Sequence, residues 1–442
     1  MPDTVPSGPR PWWARFSGNI WSNPIRFWPK AGKNREMTLN YRQLDWKLIL
    51  AAFLLTLIGI ILIYSAQYDS ISGHSLNFYK KQILWGVAAL AIFAILIHLP
   101  LKMFDFTAYF FYAVALIMLV AVFFIGQSVS GAARWFALGP FHLTPSEIAK
   151  LALLVTLSRF LAFTKLRPQS IRRLFISAAL TVIPVMLILK QPDLGTSLVF
   201  VALLFSLWFW SGLPILYLLF IVSPIISLLA AFHWVTWVIY LIILIAVILV
   251  TRPSVLFSAV VVITNLAFGM ITPFFWNRLA DYQKMRIITF LDPGRDPRGA
   301  GYQIIQSKIA IGSGGILGKG FLGGSQSQLK YLPERHTDFV FSVLGEEFGI
   351  WGTLLILILF GYIFYRGIVI ASKCRSRFAS YLCWGALTIL FFQFFVNIGM
   401  TIGLTPVTGL PLPFLSYGGT SLILSWMLVG FIVMADYYWT EY

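Results

Sequence analysis

Apolar runs of membrane-crossing length recur along the chain, separated by short polar breaks, and this pattern predicts transmembrane helices rather than elements of a soluble core. Crossing ~30 Å of hydrocarbon takes roughly 20 helical residues, and a helix hides its own backbone polar groups while doing so. Spans are predicted near 48–66, 82–99, 106–126, 147–163, 174–190, 196–212, 213–232, 234–251, 254–275, 339–364, 379–402 and 415–436. Within 196–275 the only breaks are Ser211-Gly212-Leu213-Pro214, His233 and Arg252-Pro253, so the division there is the least sharp.

Composition supports the pattern. Hydrophobic residues make up 59% of the 442 and charged residues 11%, more apolar surface than a soluble chain of this size can bury. The fold class expected is an all-α polytopic membrane protein with about twelve spans. Two cysteines, Cys374 and Cys383, exclude a disulfide framework and a structural zinc site.

Lys and Arg number 33 against 16 Asp and Glu, a net charge of +17. In a soluble chain that excess would suggest nucleic acid. Here most of it sits in short loops between spans, where topology and lipid phosphates account for it, so no nucleic-acid partner is expected. Basic residues concentrate in 1–47, 164–173 and 365–378, which predicts a cytoplasmic location for all three and for both termini. No signal peptide is evident, and the first span is expected to be an uncleaved anchor. The arm 1–46 mixes Trp12, Trp13, Trp21 and Trp28 with arginines, which suits either an interfacial arm on the inner leaflet or a disordered one.

The domain expectation is therefore the arm 1–46, nine spans in 47–275, a long extracytoplasmic loop 276–338, and three spans in 339–442 with a re-entrant outer segment at 403–414. The re-entrant segment is read from Pro406, Gly409, Pro411 and Pro413, since broken backbone at that depth needs protein cover or a water-filled cavity. The long loop carries nine basic residues, among them Lys308, Lys319 and Arg335, and so calls for an anionic partner outside the membrane.

The acidic side chains single out Asp338, where the loop meets the span beginning at 339. Two roles fit that position: a helix cap, from Thr337 or Asp338, and a general base at the lipid–water boundary beside Arg335 and His336. Glu346 and Glu347 fall further along the same helix and suit a structural polar network. Glu147 and Lys150, at i and i+3, read equally as a local ion pair. Together with Arg134, Trp135, Lys190 and Asp193 they belong to one predicted leaflet, where Lys and Arg would hold a pyrophosphate. Gly312-Ser313-Gly314-Gly315 lacks the Lys-Ser/Thr ending of a phosphate loop and reads as flexible turns. His74, His98, His142 and His233 show no metal-ligand spacing.

The stretch Tyr331-Leu332-Pro333-Glu334-Arg335-His336-Thr337-Asp338-Phe339 resembles the signature of the SEDS family (shape, elongation, division and sporulation), the peptidoglycan glycan polymerases. Four other segments agree: Gly131–Trp135 leading to Pro145–Lys150; Lys190–Ser197; Asp292-Pro293 through Gly301–Ser307; and Pro411–Gly419, which includes Ser416, Gly418 and Gly419. Arg335 before His336, and Gln303 through Lys308, look more like the elongation members (RodA-like) than the division members (FtsW-like).

The resemblance implies a helical bundle with a family core of ten spans, to which 213–275 adds a pair, in a bacterial cytoplasmic membrane. It implies joining of lipid II to a growing glycan, with Asp338 taking the proton of the acceptor 4-hydroxyl and undecaprenyl pyrophosphate leaving with inversion. Arg134, Lys150 and Lys319 would face the diphosphate, Glu147 would orient Lys150, and His336 would position Asp338. No cofactor is obligatory; a divalent cation, Mg2+ or Mn2+, bridging Asp338 and pyrophosphate is compatible with the chemistry. A class B penicillin-binding transpeptidase and other elongation-complex membrane proteins are the implied partners. Competing expectations are a lipid II flippase, a division-type polymerase, and a non-catalytic scaffold.

Overall fold

The computed structural model describes residues 44–437 except 70–73, 76, 130–131, 139–140, 279–283, 285–288, 290–291, 296–299 and 329–330. The basic-aromatic arm, apart from its last residues, lies outside the described residues. Helices run in the order α1 Trp46–Ala66, α2 Phe78–His98, α3 Leu101–Ile125, α4 Pro145–Phe163, α5 Ile171–Lys190, α6 Leu194–Trp210, α7 Ile215–Ala230, α8 Trp234–Thr251 and α9 Val255–Arg278. They continue as α10 Ala300–Gly314, the short α11 Ser325–Gln328, α12 Val340–Lys373, α13 Arg377–Ile402 and α14 Gly419–Tyr437.

Nine of these are long and apolar enough to cross a membrane, among the described residues. The apolar helices α6 and α7 are shorter, and α4 carries Glu147, Lys150 and Arg159. Each of the twelve predicted spans thus has a helix in its place.

Two features go beyond the predicted pattern. The connection between α3 and α4 contains a three-stranded antiparallel sheet, β3 Gln127–Val129, β4 Ala132–Leu138 and β5 Phe141–Leu143, after a two-stranded pair, β1 Tyr68–Asp69 and β2 His74–Ser75. The long connection, read as a loop, holds the helix α10, which packs on α12 and α13. Ser307 of α10 bonds Ser342 at 2.7 Å and the Thr401 carbonyl at 2.6 Å.

α13 and α14 form the buried centre of the bundle, whereas α8 faces outward along nearly all its length. α7–α9 pack as a three-helix unit with its own apolar core, Phe220, Leu244, Phe257 and Val261. A polar network runs through the same unit. Asn265 donates to Ser223 at 2.7 Å and accepts from Tyr240 at 3.0 Å, and Trp237 donates to Ser227 at 2.9 Å. In hydrocarbon such side chains must find partners between helices, and here they do.

α12 is broken near its start. Gly349 has φ +58, a left-handed value that favours glycine, and a β-carbon there would stand 2.5 Å from the Gly318 nitrogen. The break strands carbonyls and an N–H, which the glycine-rich stretch picks up. Lys319 and Gly320 N–H donate to the carbonyls of Glu346 and Glu347, and Ile350 N–H donates to Gly315. Of the cluster read as flexible turns, Gly312–Gly314 close α10, while Gly315 with Lys319 and Gly320 forms a backbone splint across the broken helix.

Candidate active site

Asp338 lies where the long connection turns into α12. The N–H groups of Thr337, Asp338 and Phe339 all donate to the Glu334 carbonyl, at 3.0–3.2 Å. Phe339 is the residue that precedes the helix, and its side chain makes no cap. Of the two roles expected for Thr337 and Asp338, capping is not the one adopted. The Thr337 hydroxyl donates instead to the Glu334 carbonyl and carboxylate. The Asp338 carboxylate is left unused by helix formation.

Its backbone is held from the other side by residues 403–418, the non-helical stretch between α13 and α14. Asn397 of α13 donates its amide to the carbonyls of Asp338 and Leu410, at 2.9 and 2.8 Å. Ser416 donates to the Thr337 carbonyl at 2.5 Å and accepts from Leu412 N–H at 2.8 Å. Tyr417 N–H donates to the His336 carbonyl at 2.9 Å. Gln82 of α2 brackets the stretch, donating to the Ser416 carbonyl and accepting from Gly418 N–H, both at 3.2 Å. Gly419 packs directly against the Trp85 ring. Oδ2 of Asp338 faces Gly409, where a β-carbon would stand only 3.5 Å away.

Burial, and secondarily the negative charge of Glu334, pushes Asp338 up to about 6. Among the described residues, no Lys or Arg forms an ion pair with it. The His336 ring sits between Phe78 and Tyr417, at 5.1 and 5.6 Å between centroids. Burial lowers its pKa, with Glu334 opposing and Arg335 adding to the shift. His336 is thus neutral at pH 7, and a neutral ring suits orientation better than charge pairing. Arg335 is buried beside it.

Glu147 and Lys150 form a buried ion pair of 2.8 Å on the first turns of α4, and Glu147 Oε2 has no hydrogen-bond partner among the described residues. Thr144, just ahead of α4, bonds Thr420 at 3.2 Å, which ties this end of α4 to the start of α14. The other predicted residues are placed differently. Asp193 caps α6, accepting from Thr196 N–H at 3.0 Å and from its hydroxyl at 2.9 Å, while Lys190 is exposed at the end of α5. Lys319 pairs with the fully buried Glu346 at 2.8 Å and bonds Ser325 at 2.7 Å. Glu347 accepts from Ser65. Arg134 lies on β4, but its side chain is outside the described residues; Trp135 on the same strand is partly buried.

Sequence reasoning passed over Asn397 and Gln82, and gave Glu334 no role of its own. An asparagine and a glutamine inside apolar helices were the available signal, because polar amides at such depth need partners.

A family model described as "Cell cycle protein", covering FtsW, RodA and SpoVE, matches residues 45–239 and 234–441. The chain belongs to the FtsW/RodA/SpoVE family. The two matched segments overlap at 234–239, at the start of α8. Peptidoglycan glycosyltransferase MrdB of Escherichia coli (strain K12) is 39% identical over 385 residues, covering 86% of this chain and 92% of that protein. Peptidoglycan glycosyltransferase RodA of Treponema pallidum (strain Nichols) is 34% identical over 425 residues, covering 88% and 96%. A solved structure concerned with coordination of polymerization and crosslinking by a peptidoglycan synthase complex contains a chain of TM-score 0.66. It is 32% identical and covers 90% of this chain and 99% of its own. The Thermus thermophilus rod shape determining protein RodA superposes with TM-score 0.60 at 25% identity, covering 91% and 99%. This FtsW/RodA/SpoVE chain is a multi-pass membrane protein.

Proposed function

We propose that Asp338 is the general base of a lipid II polymerase. The chain is a peptidoglycan glycosyltransferase, as its family and its curated relatives agree, and a flippase or scaffold reading is set aside on that ground. The observation that carries the base assignment is the Asp338 carboxylate itself. It is unpaired among the described residues, raised to about 6, and fixed by backbone contacts to the 403–418 stretch. A base with its pKa just below working pH is ionised yet still proton-hungry.

In this reading Asp338 removes the proton from the acceptor 4-hydroxyl. That oxygen forms a bond to the donor's anomeric carbon, the carbon–oxygen bond to the diphosphate breaks, and undecaprenyl pyrophosphate departs with its electron pair. Lys150, oriented by Glu147, and Arg134 stabilise the departing charge. Lys319 serves the loop through its pair with Glu346. Among the described residues no three His, Cys, Asp or Glu side chains cluster as a metal site. Were a divalent cation, Mg2+ or Mn2+, to bind, Asp338 would be the residue to hold it, and the ion would supply positive charge for the diphosphate.

In this reading the site end of the bundle faces outward from a bacterial cytoplasmic membrane, with both chain termini cytoplasmic, an orientation that the basic loops 164–173 and 365–378 favour. A class B penicillin-binding transpeptidase is the partner that would cross-link the product, supported by the likeness to a chain of a peptidoglycan synthase complex. The deciding experiment is lipid II polymerisation by the purified protein with and without Asp338→Ala. Wild-type rates from the variant would dismiss the base.

A further inference from the structure

At the opposite, basic end of the bundle, three helix ends meet: the last turn of α4 and the first turns of α5 and α13. Arg173, in the first turn of α5, is only 4% exposed. Its Nη2 reaches the Leu161 carbonyl of α4 at 3.4 Å, the long limit of a hydrogen bond, and its side chain also bonds Tyr381 of α13. Nε has no hydrogen-bond partner among the described residues. Arg377, in the first turn of α13, lies near enough for the two like charges to act on each other.

Helix starts favour acids, because unsatisfied N–H groups and the helix dipole make them positive. Neither α5 nor α13 has an acid in its first turn, and Ser170, ahead of α5, makes no side-chain cap. Exposed Lys165, Arg167 and Arg172 add charge on the α4–α5 connection, and no carboxylate pairs with them among the described residues. A buried cation held at a positive helix start is costly unless an anion compensates it.

The depth of the junction says which anion. Trp210 of α6 stacks on Trp384 of α13 with centroids 4.0 Å apart, and its ring N–H donates to Ser380 at 2.9 Å, one residue from Tyr381. Tryptophans with one polar tie of this kind mark the headgroup layer. We infer that this junction binds the phosphate of an anionic phospholipid in the adjoining leaflet. Arg173 and Arg377 would clamp the phosphate oxygens while the free N–H groups of the first α5 turn complete the cradle.

The test uses the purified full-length protein in detergent with three probes: phosphatidylglycerol, phosphatidylcholine and inorganic phosphate. Lipid retained in native mass spectra and the shift in melting temperature are read together. Phosphatidylglycerol should be retained and should raise the melting temperature, and the other two should not. Arg377→Gln, a surface change, should weaken retention about fivefold, the worth of one basic side chain near a charged leaflet. Arg173→Gln should remove most of the remainder. Lys47→Gln, at the start of α1, controls for general attraction and should leave retention unchanged. If Arg173→Gln does not fold, Arg377→Gln against Lys47→Gln still decides. Equal retention by wild type and Arg377→Gln, equal losses in Arg377→Gln and Lys47→Gln, or equal retention of the two lipids would each overturn the site. An equal shift with inorganic phosphate would overturn the lipid as its source.

Discussion

Where the long connection runs into α12, Asp338 keeps its carboxylate clear of every Lys and Arg among the described residues. Eight positions on, Glu346 has its own consumed by Lys319, Ser325 and the Gln326 N–H, at 2.8, 3.1 and 2.9 Å. Both carboxyls stand near broken backbone, one beside 403–418 and the other beside the Gly349 kink. The difference lies in what surrounds them. Glu346 is fully buried and saturated with donors, so its charge is locked into holding the 315–328 stretch against α12. Asp338 is only partly buried, and every hydrogen bond that fixes it goes to main chain, which leaves the carboxylate available. Of two similar acids on one piece of chain, one is thus bound up as an anchor and the other is left available for the base role proposed above.

The largest expected effect comes from Asp338. Asp338→Ala should lower lipid II polymerisation by about 10²–10⁴-fold, the usual worth of a positioned base, without lowering the melting temperature. In the wild type, kcat/KM should rise with pH around a midpoint of about 6, since the ionised form is the active one. A flat profile through that range would separate Asp338 from the rate.

The contrasting loss at the anchor is one of stability. Lys319→Ala leaves the Glu346 charge buried and short of its cation, and should cost ~3–5 kcal/mol. Adding Glu346→Gln to that variant should restore part of it. Melting curves of the single and double variants measure the coupling.

Asp338 should show the opposite sign. Its pKa rises from 3.8 to about 6 on folding, so burial penalises the ionised form. The penalty is absent below pH 4, grows between 4 and 6, and is complete above that range, where it reaches ~3 kcal/mol at most. Asp338→Asn should therefore melt above wild type at pH 8, with the gap closing by pH 4. An active-site acid that stabilised the fold would reverse that trend.

The smallest effect concerns the splint. Gly349→Ala forces a β-carbon into a left-handed residue against Gly318, and should cost ~1–3 kcal/mol. Because the splint serves the anchor, the surviving folded fraction should keep its pH midpoint.

The spans were legible because membrane helices write themselves as apolar runs: the breaks at Ser211–Pro214, His233 and Arg252-Pro253 all became helix ends. The short strands β3–β5 were not, since a few residues of local alternation carry little signal beside neighbouring apolar helices. Asp338 was legible as a residue of interest, but cap and base could not be separated from position alone. That choice turned on Phe339 taking the place before the helix. The glycine cluster was misread because its role depends on Gly349, some 35 residues away, breaking a helix that local sequence presents as continuous. Asn397 escaped notice for a related reason. Its donors matter only once 403–418 has folded back beneath the Asp338 turn.

The α7–α9 unit satisfies its own donors and acceptors, with Asn265 as the hub. Such a block can repack within itself without stranding a polar atom in the rest of the bundle.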